Sequence, residues 1–568
     1  MGLTGLRLRA VVLGMAGVGA LNACAVAHMD ESTDLDTEIE ALSGSGKSGS
    51  GSTSSGSGSG SGSGSTSSGS GSTSSGSSPL TAALAAAKPP LGDIVDGAAA
   101  IRLGKALFWD IQTGTDGQTA CASCHFHAGA DDRRMNTLNP GNDAVFASGG
   151  VTAAGQMFNG ASISNDDRVG SQGVLRGKFV SIASDPSSAV DSCTSDPEAI
   201  YGNQRQVTGR NTPSAIGAVF FRDNFWDGRA NHAFNGSDPF GNTSNAGAVL
   251  VNQERASLAS QAVGPAGNDV EMACAGRPFN GDNSLGAKLL TRAALQFQQV
   301  STTDGVLGSI ANPSGNGLKC GNAACTYQDL INAAYGVNLG AQARAQFSRF
   351  WGQAVQAYEA TLVPDQTPYD RYLAGNTGAL TSQQQKGLDR FTGKGNCAKC
   401  HAGAELSDAT VSFAASQGLI NEDGGDQGFH NLGVRPTAED LGRAGTGPKG
   451  VSWSISRAAA DRGAFKTPGL RNVKLTAPYF HNGGKATLVE VVDFYNRGGD
   501  FANAEKAKRI KPLSLDATDR AALVDFLTNA LTDCRVEKDR APFDHPSLPI
   551  PNRAALAATG ANGTGSCP

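Results

Sequence analysis

Two segments of the chain set two thiols and an imidazole at one fixed spacing: Cys121-Ala-Ser-Cys124-His125 and Cys397-Ala-Lys-Cys400-His401. Cys-x-x-Cys-His is the arrangement that attaches a c-type haem. The two thiols add across the haem vinyl groups, and the adjoining imidazole ligates the iron from one side. A zinc half-site or a dithiol redox pair would also use paired cysteines. Zinc would need a second Cys/His pair close by at ribbon-like spacing, and neither motif has one. A dithiol would need neither the histidine nor a second copy. Two copies 276 residues apart predict two covalently attached haems in two related halves. What lies opposite each histidine then separates electron transfer from chemistry.

The residues available for that opposite face are few. The six methionines are residues 1, 15, 29, 135, 157 and 272. Unless Met135, Met157 or Met272 crosses from the first half, the second haem lacks the His/Met ligation that raises the potential of electron-transfer cytochromes. Its local alternatives are His430, His481, His545 or a tyrosine. Around the first motif, His127 is too close in sequence to swing to the opposite face, and His232 is the next histidine. A five-coordinate iron is expected there, the state in which peroxide or oxygen chemistry takes place.

The elements that must position these groups read as mostly helical, with long loops. Thr381-Ser-Gln-Gln384 is a capping box that opens a helix through Phe391, just before the second motif. A second capping box, Thr487 with Glu490, opens a helix that Gly498 stops. On it Leu488, Val491, Val492 and Tyr495 share one face, so Tyr495 points inward. The bland reading is a core tyrosine with its hydroxyl bonded, and periodicity alone favours it. Asp516 is the expected N-cap of a late helix with Leu523, Phe526, Leu527 and Leu531 on one face. Strand-like alternation is scarce. Gly/Asn/Asp/Ser-rich stretches at about 136–205 and 300–325 read as surface insertions.

The chain begins like an exported one. Arg7 and Arg9 precede an apolar run, Ala10 to Leu21, too short to span a membrane. Leu21-Asn-Ala-Cys24 looks like a bacterial lipobox, which would make Cys24 the lipidated start of the mature protein. The alternative is an ordinary cleaved signal with a spare cysteine. Ala25, where an Asp would signal inner-membrane retention, leaves the outer membrane as the expected anchor, in the periplasm or at the cell surface. A Gly/Ser/Thr tract from Ser43 to Ser78 cannot bury a core and reads as a flexible tether. The expected division is signal 1–23, tether 24–78, N-terminal haem domain 79–335, C-terminal haem domain 336–555 and tail 556–568. The net charge of −5 and the lack of a basic run exclude nucleic acid as an expected partner. Of eleven cysteines, six remain after the lipid site and the haem thiols, compatible with three disulfides in 15 possible pairings. Cys320–Cys325, within one loop, is the pair expected.

Together these residues resemble the bacterial di-haem cytochrome c peroxidase family, including its MauG branch. The matching segments run in order. Leu103-Gly-Lys-Ala-Leu-Phe-Trp-Asp110 precedes the first haem motif, and Gly209-Arg-Asn-Thr-Pro213, Phe225-Trp-Asp-Gly-Arg-Ala230, Gly264-Pro265 and Glu271-Met272 follow. The second half has Phe429-His-Asn-Leu-Gly433, Phe465-Lys-Thr-Pro-Gly-Leu-Arg-Asn472 and Leu475-Thr-Ala-Pro-Tyr-Phe-His-Asn-Gly483. The resemblance covers roughly residues 90–535, without much of 130–200 and the Cys320 loop. It implies a mainly α fold of two cytochrome c-like domains, with a peroxide-reactive haem in the first and an electron-relaying haem in the second. It makes Trp226 the relay between them. It makes Gln261, Pro265 and Glu271 the distal pocket, with Glu271 as general acid/base. It also implies one calcium ion, held by Asn211, Thr476 and Pro478.

The chain departs from the peroxidase pattern twice. The family's displaceable distal histidine falls at Asn203, and its methionine ligand on the second haem falls at Tyr495, as in MauG. The resemblance thus raises Tyr495 from core residue to expected axial ligand. The implied activity is reduction of hydrogen peroxide to water. Electrons would come from an outside donor, such as a small c-type cytochrome or a cupredoxin. One rival is MauG-like or oxygenase-type oxidation of an organic or protein substrate. Another is a di-haem electron-transfer lipoprotein without catalysis.

Overall fold

The computed structural model describes residues 79–241, 249–336 and 339–568. The expected signal, Cys24 and the tether lie outside the described residues. The fold is mainly α. Among the described residues, strands occur only as five two-stranded antiparallel ladders. No helix described is long and apolar enough to cross a membrane.

Each haem motif follows a helix that crosses a later helix at a glycine. In the first half α1, Gly97–Trp109, is capped by Asp96, whose side chain accepts the Ala99 N–H. The expected Leu103-Gly104 segment lies at its centre. Farther along the chain come α2, Ser257–Ala262, and α3, Phe347–Glu359. A Cβ on Gly104 would overlap the Ala354 carbonyl of α3, so only glycine allows this crossing. In the second half α4, Ser382–Thr392, starts at the expected Thr381 capping box. The later helices are α5, Leu488–Arg497, and α6, Ala517–Asp525. A Cβ on Gly387 of α4 would overlap the Ala522 carbonyl of α6.

Two apolar cores follow from these crossings. Leu103, Leu107, Trp351, Val355 and Tyr358 belong to the first. Leu388, Phe391, Leu488, Val492, Leu523 and Phe526 belong to the second. The division of the cores does not follow the expected 335/336 boundary. Residues 343–362, and Val536, Phe543, Leu548 and Ile550, pack with the first core. Glycine at position 104 and the apolar face of α3 draw that helix back onto α1. Phe526, Leu527 and Leu531 are buried as the late helical pattern requires, but Phe526–Ala530 is wound as a π-helix.

The 136–205 stretch is more structured than a surface insertion. Leu138–Asn139 pairs with Arg168–Val169, Gln172–Leu175 with Arg205–Val207, and Gly177–Ser181 with Ser192–Ser195. Leu138, Val151, Phe158, Ile163 and Val169 form a small core of their own. These strands run two to five residues, too short for alternation to show in the sequence.

The expected Cys320–Cys325 disulfide is present, with Cys193–Cys274 and Cys534–Cys567. The last of these closes a strap that returns to the first half. On it His545 stacks on Trp109 at 4.8 Å, Asn552 donates to the Gln172 side chain, and Arg553 meets Asp132 at 2.9 Å. Arg553 also lies over Phe126, the residue after His125. The halves are joined by buried charge as well. Arg443 bonds Asp426 at 2.7 Å, reaches Asp223 at 3.2 Å, and donates to the carbonyls of Asp227 and Gly228.

Candidate functional site

One cavity of about 890 Å³ is lined by both Cys-x-x-Cys-His motifs. Cys121, Cys124, Cys397 and Cys400 are the free thiols among the described residues. His125 ends a short helix, Ala122–His125, and its Nδ1–H donates to the Gly129 carbonyl at 2.7 Å. His401 Nδ1 lies 3.2 Å from the carbonyls of Leu406 and Pro468. A carbonyl only accepts, so each ring carries its proton on Nδ1 and keeps the Nε2 lone pair for a metal. Burial lowers the proton affinity of both imidazoles, which favours the neutral ligating form. Burial pushes the thiols of Cys124 and Cys397 up to about 12 and raises Cys121 further. Such thiols are poor nucleophiles and do not suit a dithiol redox pair. Two attachment motifs on one hollow, each with an oriented imidazole, fit two covalently held haems.

Every residue expected on the reactive side of the first haem lines this cavity. Gln261 lies on α2, Pro265 opens the next turn, and Glu271 follows on the loop that Asn268 holds by accepting the Val270 and Glu271 N–H groups. Glu271 is half-buried, and burial raises its pKa while Arg229 lowers it. A carboxyl so placed keeps its proton more readily than an exposed one, which suits an acid that also acts as a base. The described histidines on the cavity wall are His125, His401, His430 and His481. His127 and His232 are not on it. Asn203 is exposed and away from it. Met272 is buried beside Glu271, and Met157 is exposed.

On the second side, Leu488, Val491, Val492 and Tyr495 of α5 all line the cavity, as their periodicity requires. The Tyr495 hydroxyl has no hydrogen-bond partner among the described residues. Burial, then the thiols of Cys400 and Cys397, raises its pKa. This is not the bonded core tyrosine of the bland reading. The competing local histidines each have a contact of their own. His430 Nε2 meets Asp408 at 2.8 Å, His481 stacks on Phe465 at 3.5 Å, and His545 belongs to the strap over Trp109. Asp408, His430 and the attachment thiol of Cys400 also stand within 4.8 Å of one another, a cluster that thioether formation would change.

Trp226 lies between the halves. Its Nε1–H donates to the Asn211 carbonyl at 2.8 Å, its own carbonyl accepts the Lys466 N–H, and its ring meets His481 edge-on at 6.4 Å. The side-chain amide of Asn211 reaches the Pro478 carbonyl at 2.6 Å, so two of the three expected calcium ligands touch. With its amide turned, Asn211 would offer Oδ1 at the same point, and Thr476 also lines the cavity.

Two cavity residues carry no motif and escaped the sequence reading. Glu359 ends α3, one turn after Val355. Its only sequence signal is a charge on an otherwise apolar stripe. Lys466 is buried, with Nζ 3.0 Å from the centre of the Phe221 ring, and burial pushes it down to about 7.

Residues 185–378 match the family model described as di-haem cytochrome c peroxidase. The chain is 38% identical over 192 residues to the cytochrome-c peroxidase IdrP2 of Denitromonas iodatirespirans, covering 30% of this chain and 46% of that protein. It is 32% identical over 174 residues to the methylamine utilization protein MauG of Methylorubrum extorquens, covering 31% and 42%. The crystal structure of the diheme peroxidase BthA from Burkholderia thailandensis aligns with 20% identity and a TM-score of 0.41, over 81% of this chain and 90% of that one. The chain spans about half the length of the curated relatives it matches. Over residues 185–378 the chain is similar to the di-haem cytochrome c peroxidase family.

Proposed function

We propose that the protein is a di-haem peroxidase that reduces hydrogen peroxide to water beside His125. The reading is carried by one cavity that joins both haem attachments to Gln261, Pro265 and Glu271, with His127 and His232 off its wall. A haem held there supplies the redox chemistry that the side chains lack. Glu271 takes a proton from the first peroxide oxygen and returns it to the second, which leaves as water. Gln261 orients the peroxide, and Pro265 keeps that face apolar. Trp226 passes electrons between the halves, held in place through Asn211. Calcium, held by oxygens of Asn211, Thr476 and Pro478, would stiffen that contact. The donor is a small c-type cytochrome or cupredoxin. Export and a lipid on Cys24, at the outer membrane, complete the reading.

The unbonded Tyr495 hydroxyl favours MauG-like behaviour on the second side. A free phenol keeps its proton in so buried a place, and a cation at its oxygen would draw the proton off. A purified di-haem protein is titrated with peroxide, wild type against Tyr495→Met. The variant is expected to change the resting spectrum of the second haem before peroxide is added. No spectral response of the wild type to peroxide, with no donor oxidised, defeats the peroxidase reading. An unchanged resting spectrum in Tyr495→Met returns Tyr495 to the core.

A further inference from the structure

Glu359 is 3% exposed, lines the cavity, and its Oε2 meets no hydrogen-bond donor. It sits at the C-terminal end of α3, where the helix dipole opposes a negative charge. Burial pushes its carboxyl up to about 8. No neighbouring cation offsets this. On its own helix Arg349 is paired with Asp93, and Tyr358 is a buried phenol. On α1, Lys105 is held between Asp304 and Asp544, and Arg102 is partly exposed. Arg344, on the turn before α3, pairs with Asp282. The elements α2 and 218–220 bring no charge. The attachment loop brings Cys121, whose thiol is raised by burial and then by Glu359, with Glu271 acting on it more weakly. Glu359 is therefore an unpartnered acid on the same wall as the first attachment thiol, and it is separate from Glu271.

We propose that Glu359 is a redox-linked proton site for the haem on Cys121, Cys124 and His125. The inference rests on the reading that a haem is attached there. Glu359 releases one proton when that haem gives one electron to peroxide or an electrode. It takes one proton back when an outside donor, or the electrode, returns the electron. A buried carboxylate with no partner is costly, and one more positive charge in the cavity offsets that cost. The sign follows: at high pH the carboxylate favours the oxidised haem, so the midpoint potential falls as pH rises through about 8.

The test is a spectroelectrochemical titration of the full, doubly loaded protein across that range. In the wild type the first haem's potential should fall with pH, and in Glu359→Gln the slope should drop at least about twofold. The second haem's slope should not change. Equal slopes for the first haem in the two proteins overturn the proposal and leave the peroxidase reading standing. Should Glu359→Gln fail to load, redox-difference infrared spectra of the wild type decide. A deuterium-sensitive protonated-carboxyl band that changes with the first haem supports the proposal, and its absence overturns it. A chain whose Cys121 and Cys124 carry no haem by mass spectrometry defeats the proposal and the underlying reading together.

Discussion

At the scale of the residue, what matters is whether each polar group in the cavity has a partner. His125 and His401 have their Nδ1 protons anchored, so their free nitrogens are fixed in direction. Tyr495 and Glu359 have no such anchor. The motif residues were legible because their chemistry is encoded in five adjacent positions. Tyr495 was legible in direction, since α5 repeats every 3.6 residues, but whether its hydroxyl was bonded depends on distant loops. Glu359 was illegible, because a lone glutamate carries no spacing. Replacing Cys121 and Cys124 together by Ala is expected to lower covalent haem from two per chain to one. Pyridine haemochrome absorbance with intact-protein mass gives the count, and two retained haems would refute the first attachment.

At the scale of the element, glycine sets how closely the helices carrying each half approach. The capping boxes at Thr381 and Thr487 and the cap at Asp516 were readable, because each cap lies within four residues. The crossings were not readable, since Gly104 meets residue 354 and Gly387 meets residue 522. Gly387→Ala must push α4 off α6 or strain both. The expected cost is about 1–3 kcal/mol, as for overpacking a filled core. Urea unfolding measures it, and a change smaller than the fitting error would show that α6 gives way freely. The short ladders between 138 and 207 escaped for the same reason as the crossings: their partners are distant and their runs too brief.

At the scale of the whole molecule, the halves are fastened by groups that neither half needs by itself. Arg443 is 1% exposed and answers Asp223 and Asp426 together. Arg443→Met leaves the buried Asp426 without its arginine, while Asp223 keeps Arg222 and His232, and is expected to cost about 3–5 kcal/mol. Thermal unfolding of the loaded protein reads the loss. Restoration of stability on lowering the pH, as the Asp426 carboxylate takes up a proton, would mark charge rather than shape as the cause. Of the disulfides, only Cys320–Cys325 was legible, because its loop brings the two residues together; the other pairs depend on the closed fold.

The strap that ends in the Cys534–Cys567 bridge gives the molecule a chronology. Arg553 reaches Asp132 across 421 residues, and with Phe126 it covers the neighbourhood of the first haem motif. A chain made N-terminus first presents Cys121 and Cys124 long before the segment that packs on Phe126 exists. The second motif, at 397–401, also emerges before that cover. The last part to arrive shuts the first part away, so the order of synthesis doubles as the order of assembly.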